Sequence, residues 1–244
     1  MAVYTPKNIP AHERLIFALD VATGAEAIAW IERLGDTVSF YKIGLELLAS
    51  GDYFTVLREL DRRGKKIFAD LKLHDVPATV AAAVKGLARY PVTFCTIHSD
   101  SRAMLEAAAA VKSDLRLLAV TVLTSLNQAD LADLDIRAEL ASVVTTRARQ
   151  ALAAGFDGVV SSAHEVAQLR NDIDHRLICV CPGIRAVATG GTQTDDQKRT
   201  LDAAQALRAG ADYLVIGRPI RLAADPRAAA EALQASIAAS MRIG

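Results

Sequence analysis

The stretch Phe68-Ala69-Asp70-Leu71-Lys72-Leu73-His74-Asp75 sets charged side chains into an otherwise apolar run. Side chains of an extended strand alternate between faces, so Asp70 and Lys72 point the same way, about 6 to 7 Å apart along the backbone. A long lysine spans that gap, and the two are expected to form a buried ion pair. Asp75 lies past the strand end, before Val76-Pro77, where the chain should turn into a helix with Pro77 in its first turn. Lys42, in the run Ser39 to Leu47, would join this pair if its strand lies alongside, giving alternating charge from two lysines and one or two aspartates. An inert salt-bridge layer is the competing explanation. Burying ions costs several kcal/mol each before pairing, so an inert layer could be replaced by apolar residues without loss of stability. The desolvation cost therefore favours a working charged site, of the kind that proton transfer and charge stabilisation require. The run Asp61-Arg62-Arg63, by contrast, reads as a solvated helix end.

A second group falls late in the chain. Cys181-Pro182-Gly183-Ile184-Arg185 opens a loop carrying Gly190 and Gly191 toward Gln197, and Ile216-Gly217-Arg218-Pro219 closes the last apolar run. Arg185 and Arg218 offer fork-shaped donors suited to phosphate oxygens, and Gly183 and Gly217 let backbone N–H groups approach closely. Two ordinary surface arginines beside turn glycines are the plainer alternative.

Short β-rich runs alternate with alanine- and leucine-rich segments of helical period, which is the pattern of repeated βα units. Eight strand candidates appear: Arg14 to Val21, Ser39 to Leu47, Lys66 to Leu73, Thr93 to Ser99, Arg116 to Thr124, Gly158 to Ser162, Leu177 to Ile184 and Tyr213 to Ile220. Helix candidates between them are Ala25 to Leu34, Tyr53 to Arg63, Ala78 to Arg89, Arg102 to Lys112, Glu139 to Ala153, Ala163 to Leu169, Asp195 to Arg208 and Pro226 to Ala239. IFALDV, LLAVTVL and LICVC are nearly continuous in apolar residues, as parallel strands covered on both faces should be. Gly64, Gly155 and Gly210 fall where a left-handed residue ends a helix. Eight units in 244 residues fit a (β/α)₈ barrel forming one domain over 1–244. An open doubly wound sheet would carry a glycine-rich first turn, and Asp20-Val21-Ala22-Thr23-Gly24 lacks it. In a barrel the chemistry sits at the carboxyl ends of the strands. Asp20, Lys42, Asp70, Lys72, His98, Thr124, Arg185 and Arg218 all fall there, and loops seven and eight are the recurrent phosphate site.

The balance of 28 basic and 28 acidic residues gives no general attraction to a polyanion, and 5% aromatics leave few platforms for stacking bases. Nucleic acid is thus not an expected partner. No stretch reaches the roughly 18 uninterrupted apolar residues of a spanning helix. Asp20 interrupts the first apolar run too early for a signal-peptide core, so a cytoplasmic protein is expected. Cys95, Cys179 and Cys181 sit in apolar runs and read as buried thiols, and the Cys179/Cys181 spacing lacks the further ligands a zinc site needs.

FALDV, YKIGLEL, FADLKLHDVPATV, VTVLTS, CPGIR with a downstream DDQKR, and YLVIGRPI together resemble the orotidine 5'-phosphate decarboxylase family, from about Arg14 to Ile220. A related sugar-phosphate decarboxylase shares D-x-K-x-x-D, but the conjunction with Lys42 and the two arginine motifs is more specific. The resemblance implies a cofactor-free, metal-free homodimer that converts orotidine 5'-phosphate to UMP, the last step of pyrimidine nucleotide synthesis. It implies that Asp20 and Lys42 bind ribose hydroxyls and that Asp70, Lys72 and Asp75 form the charged catalytic network with Lys42. Asp75 would be lent by the partner subunit, as would Thr79, which would contact the ribose. Thr124, with Ser125 beside it, would meet the pyrimidine, while Arg185, Gln197, Arg218 and the Gly217 amide would hold the phosphate. One departure stands out: after the fourth strand the family commonly shows His, a small residue and glycines, whereas this chain reads His98-Ser99-Asp100-Ser101-Arg102. No catalytic role is assigned to His98.

On this reading Lys72 delivers the proton to C6 and Asp70 keeps it charged and placed. A magnesium-dependent decarboxylase of a keto-sugar phosphate and a non-catalytic nucleotide-binding module are the rival functions.

Overall fold

The computed structural model describes residues 7–185 and 201–241. Eight parallel strands close into a barrel in the order Leu15–Ala18, Tyr213–Ile216, Ile178–Cys181, Gly158–Val160, Arg116–Val120, Phe94–His98, Lys66–Leu73 and Phe40–Gly44, the last pairing back with the first. They are β1 (Leu15–Ala18), β2 (Phe40–Gly44), β3 (Lys66–Leu73), β4 (Phe94–His98), β5 (Arg116–Val120), β6 (Gly158–Val160), β7 (Ile178–Cys181) and β10 (Tyr213–Ile216). Between the last two, β8 (Ile184–Arg185) and β9 (Leu201–Asp202) form a separate small parallel pair. The (β/α)₈ architecture expected from the alternation of runs is the one observed.

Period-two alternation builds two cores. Odd-facing residues such as Leu15, Phe17, Tyr41, Ile43, Ile67 and Ala69 pack outward with the helices, while Ile16, Phe40, Phe68, Phe94, Leu118, Ile178, Val180 and Tyr213 fill the interior. Aromatic rings make the interior floor. Phe40 and Phe94 stack with centroids 5.4 Å apart, and Tyr213 meets both edge-on at 5.8 and 5.1 Å. Arg116, at the start of β5, caps Phe94 from below at 5.0 Å.

Below that floor, at the amino ends of the strands, the fully buried Asp212 carboxylate accepts hydrogen bonds from Lys7 (2.9 Å), Arg170 (2.7 Å) and the Cys179 amide (2.9 Å). Arg14, also buried, donates to the Asp212 carbonyl and to the Lys7 carbonyl. This knot ties the amino-terminal arm to β7 and β10.

Several element ends differ from the sequence expectation. The second strand stops at Gly44, and α2 (Leu45–Ser50) takes over, because Leu-Glu-Leu-Leu is a good helix sequence that Gly51 can end at φ 85°. The seventh stops at Cys181, since Pro182 has no N–H for the ladder. The first and fifth also end early, at Ala18 and Val120, and the last ends at Ile216, where Gly217 leads into α10 (Arg218–Arg221). α9 spans Ala203–Arg208, with Asp202 and Gln205 forming a capping box, so the helix expected from Asp195 begins later; residues 195–200 lie outside the described residues. α8 (Val166–Asp172) begins later than the expected Ala163, because Glu165 instead anchors the preceding loop through Ser161 and Ser162. Gly64, Gly155 and Gly210 do sit at positive φ after helices.

Candidate active site

One layer above the aromatic floor, the same strands present polar side chains. Two residues beyond Phe40 is Lys42, two beyond Phe68 is Asp70, and two beyond Phe94 is Thr96, so the pleat aims all three into the barrel mouth. Lys42 Nζ lies 2.7 Å from Asp20 Oδ1 and 3.3 Å from Asp70 Oδ2. Lys72 Nζ lies 2.8 Å from the same Asp70 Oδ2. The Thr96 hydroxyl donates to Asp70 Oδ1 at 2.9 Å. Asp70 pairs with Lys72 and also with Lys42, as expected from the sequence.

The charge states follow from burial set against pairing. Burial pushes the Asp70 carboxyl up, but Lys42 and Lys72, reinforced by the Lys72 and Thr96 hydrogen bonds, hold it below the ordinary carboxylate range. Burial likewise pulls Lys42 down, and Asp70 and Asp20 outweigh it, leaving the ammonium above its usual value. The result is a preformed row of opposed charges at the barrel mouth, with Lys42 and Asp70 buried and Asp20 and Lys72 reaching toward solvent, suited to stabilising charge that develops on a bound molecule.

Lys72 reaches its place through an irregularity. Its φ is +47°, left-handed for a residue with a side chain. The β3–β4 register shifts here: Ala69 pairs with Cys95 but Leu73 with Ile97, so four steps along β3 match two along β4. Simple alternation therefore does not by itself place Lys72 beside Asp70.

Asp75 stands outside this network within the chain. It is exposed, and its Oδ1 accepts from the Val76 amide at 2.6 Å. Thr79, in the first turn of α4 (Pro77–Leu87), is exposed as well. Thr124 is buried in the loop after β5, at 8% exposure. Gly217 precedes α10, where an added Cβ would come within 3.1 Å of the Ala18 Cβ, so a side chain would crowd the end of β1. Arg218 opens the first turn of α10. Gln197 and the side chain of Arg185 lie outside the described residues, and the backbone of Arg185 pairs in β8. His98 is half-buried, its ring 5.2 Å from that of His74; burial and then His74 push its imidazole down. His74 in turn meets Asp100 at 3.2 Å, in the loop where the glycines are missing.

The family model described as "Orotidine 5'-phosphate decarboxylase / HUMPS family" matches residues 13–233. The chain belongs to this family. It is 56% identical over 237 residues to an orotidine 5'-phosphate decarboxylase of Stenotrophomonas maltophilia (strain K279a), covering 97% of each chain. It is 55% identical over 237 residues to the one of Xanthomonas campestris pv. campestris (strain B100), covering 97% of this chain and 96% of that one. The crystal structure of orotidine 5'-phosphate decarboxylase from Lactobacillus acidophilus superposes with a TM-score of 0.80 at 33% identity, covering 92% of this chain and 99% of that chain. No described helix is long and apolar enough to cross a membrane.

Two residues of this family member's mouth escaped the sequence reading. Thr96 shares the Phe-x-polar spacing of Lys42 and Asp70, and that spacing was the available signal. Arg221, whose guanidinium donates to the Asp20 carbonyl, carried none, since only the fold brings α10 against the end of β1.

Proposed function

We propose that the chain decarboxylates orotidine 5'-phosphate to UMP and carbon dioxide, the closing step of pyrimidine nucleotide synthesis. The observation that carries this reading is the charged row Asp20–Lys42–Asp70–Lys72 at the mouth of a barrel whose relatives of 54–56% identity bear that name. Breaking the bond between C6 and the carboxylate leaves the electron pair on C6 in the ring plane, out of conjugation with the π system. Lys72 stabilises that charge and gives its Nζ proton to C6. Asp70 holds Lys72 in place at 2.8 Å and opposes the substrate carboxylate. Two like charges about 4 Å apart repel by roughly 4 kcal/mol at an effective dielectric near 20, which is only part of what such a reaction needs. Binding of the remote phosphate supplies more, by closing the site and drying it.

In this reading Asp20 and Lys42 hold ribose hydroxyls, Thr124 meets the pyrimidine, and Arg185, Gln197, Arg218 and the Gly217 amide hold the phosphate. The chain acts as a cytoplasmic homodimer of one-domain subunits. Asp75 and Thr79 complete the partner's site, and the exposed Val76 next to Asp75 (61%) supports an apolar contact there. The reaction as written uses side chains alone.

The test follows the fall in ultraviolet absorbance of orotidine 5'-phosphate with purified protein, with and without EDTA. Turnover is expected in both arms, and Lys72→Ala is expected to abolish it. Absence of turnover in both arms would favour a rival such as a metal-dependent sugar-phosphate decarboxylase, loss with chelator alone would refute a reaction run by side chains, and near-normal turnover of Lys72→Ala would remove the assigned proton donor.

A further inference from the structure

We propose that Thr96 is a positioning residue of this reaction: its one hydroxyl fixes both the Asp70 carboxylate and the irregular backbone that aims Lys72. The inference rests on the decarboxylase reading for its kinetic consequences, but its geometry stands apart from it. Thr96 is fully buried. Its Oγ1 donates to Asp70 Oδ1 at 2.9 Å and accepts from the Lys72 amide at 2.9 Å, so donor and acceptor are both used. The amide it accepts belongs to the residue at φ +47°, within the stretch where β3 carries two extra residues against β4. Four steps of β3 facing two of β4 cannot keep regular ladder bonds, and the Thr96 hydroxyl takes the Lys72 amide instead.

The charge on Asp70 Oδ1 also depends on this contact. Asp70 Oδ2 is shared by Lys42 (3.3 Å) and Lys72 (2.8 Å), which leaves the Thr96 hydroxyl to orient the other oxygen and so the carboxylate plane. A rotated carboxylate would loosen its hold on Lys72, whereas Lys42 keeps Asp20 at 2.7 Å. Thr96 touches no substrate in this account; it acts through Asp70 and Lys72.

Three variants separate hydroxyl from packing. Thr96→Val keeps the shape and deletes both hydrogen bonds, Thr96→Ala deletes them without filling the space, and Thr96→Ser keeps them. Val and Ala are expected to lower kcat by about 10- to 100-fold, the scale for losing a hydrogen bond to a charged group together with a buried amide's partner. KM and inhibition by UMP are expected to change less than about threefold, because the phosphate and ribose contacts are untouched, and Ser is expected to keep at least about a third of kcat. A substrate-free readout accompanies these: the ¹³C titration of the Asp70 carboxyl should move to higher pH in Val and Ala and stay in place in Ser. Should Val not fold, the Ala and Ser pair carries the same comparison. Unchanged kcat and titration in Val or Ala, or Ser failing as they do, overturns the proposal. Wild-type protein inert toward orotidine 5'-phosphate refutes the proposed function, while the Asp70 titration still decides the role of Thr96.

Discussion

The barrel holds two buried knots of the same ingredients, one at each end, and substituting the central aspartate of each should have opposite consequences. Asp212→Asn removes the charge from a carboxylate with no exposed side-chain surface that serves Lys7, Arg170 and the Cys179 amide. Arg170, only 3% exposed, cannot turn to water or give up its proton. Breaking a buried pair in this way costs about 3–5 kcal/mol. At about 2–4 °C per kcal/mol for a chain of this size, Tm should fall by about 6 to 20 °C. Turnover at 20 °C should stay within about twofold of wild type, because the knot lies below the aromatic floor. Asp70→Asn meets a different environment: Lys42 keeps Asp20 at 2.7 Å, and Lys72, 31% exposed, can swing into water. Its Tm should move by less than about 5 °C, while turnover falls by about 10²-fold or more, the scale for deleting one preorganised group beside developing charge. Calorimetry and the absorbance assay on both variants decide the matter. An Asp212→Asn protein that is fully folded yet inactive, or an Asp70→Asn protein that melts early yet turns over normally, would refute the division into a structural end and a chemical end.

Two further outcomes follow from the same geometry. Arg218→Ala should weaken UMP binding by about 10- to 100-fold, the loss of a charge-assisted phosphate contact, and by more than Lys72→Ala does; equal UMP affinity of Arg218→Ala and wild type in a competition assay would remove Arg218 from the phosphate grip. Burial pushes the Cys95 thiol up to about 12 and the Cys179 thiol up to about 11, so at pH 8 the folded protein should react with a thiol reagent far more slowly than the denatured chain. Because the native thiols keep protons that the unfolded chain releases near pH 8.5, their contribution to stability is present below that pH and declines above it, which urea midpoints at pH 8 and 10 would record.

The barrel was legible because its signal is redundant. Period-two and period-3.6 runs recur eight times, and Lys66–Leu73 agrees with its expected bounds at both ends. Errors collect at strand carboxyl ends, where short apolar helices such as Leu45–Ser50 follow without a polar break and periodicity cannot separate helix from strand in so few residues. α6 (Gln128–Asp133) was missed for a related reason: its start signal is a local capping box between Asn127 and Asp130, set in a long polar connection. The charged row was legible because buried charges are conspicuous in apolar runs. Thr96 was not, since a threonine in a strand is ordinary until its neighbours are known.

The irregularity at Lys72 shows how local sequence and the site's needs are reconciled. FADLKL has the composition of a plain strand, and nothing in it asks for a left-handed residue. A non-glycine residue there costs roughly 1–2 kcal/mol, so something must offset the strain. The bonds that do so converge on one point: the Lys72 amide on Thr96, the Lys72 ammonium on Asp70, and Thr96 on Asp70 again. Each position is fixed in turn by a phenylalanine two residues earlier, because Phe68 and Phe94 pack edge to face at 6.0 Å and set the levels of their strands. The aromatic floor therefore does more than fill the barrel. It lies one layer below Asp70 and Thr96, each two residues beyond a packed phenylalanine, and their bonds to Lys72 offset the strain of its left-handed backbone. Local departures from strand rules are expected where a site overrides them, and here the override is held by one hydroxyl and one carboxylate.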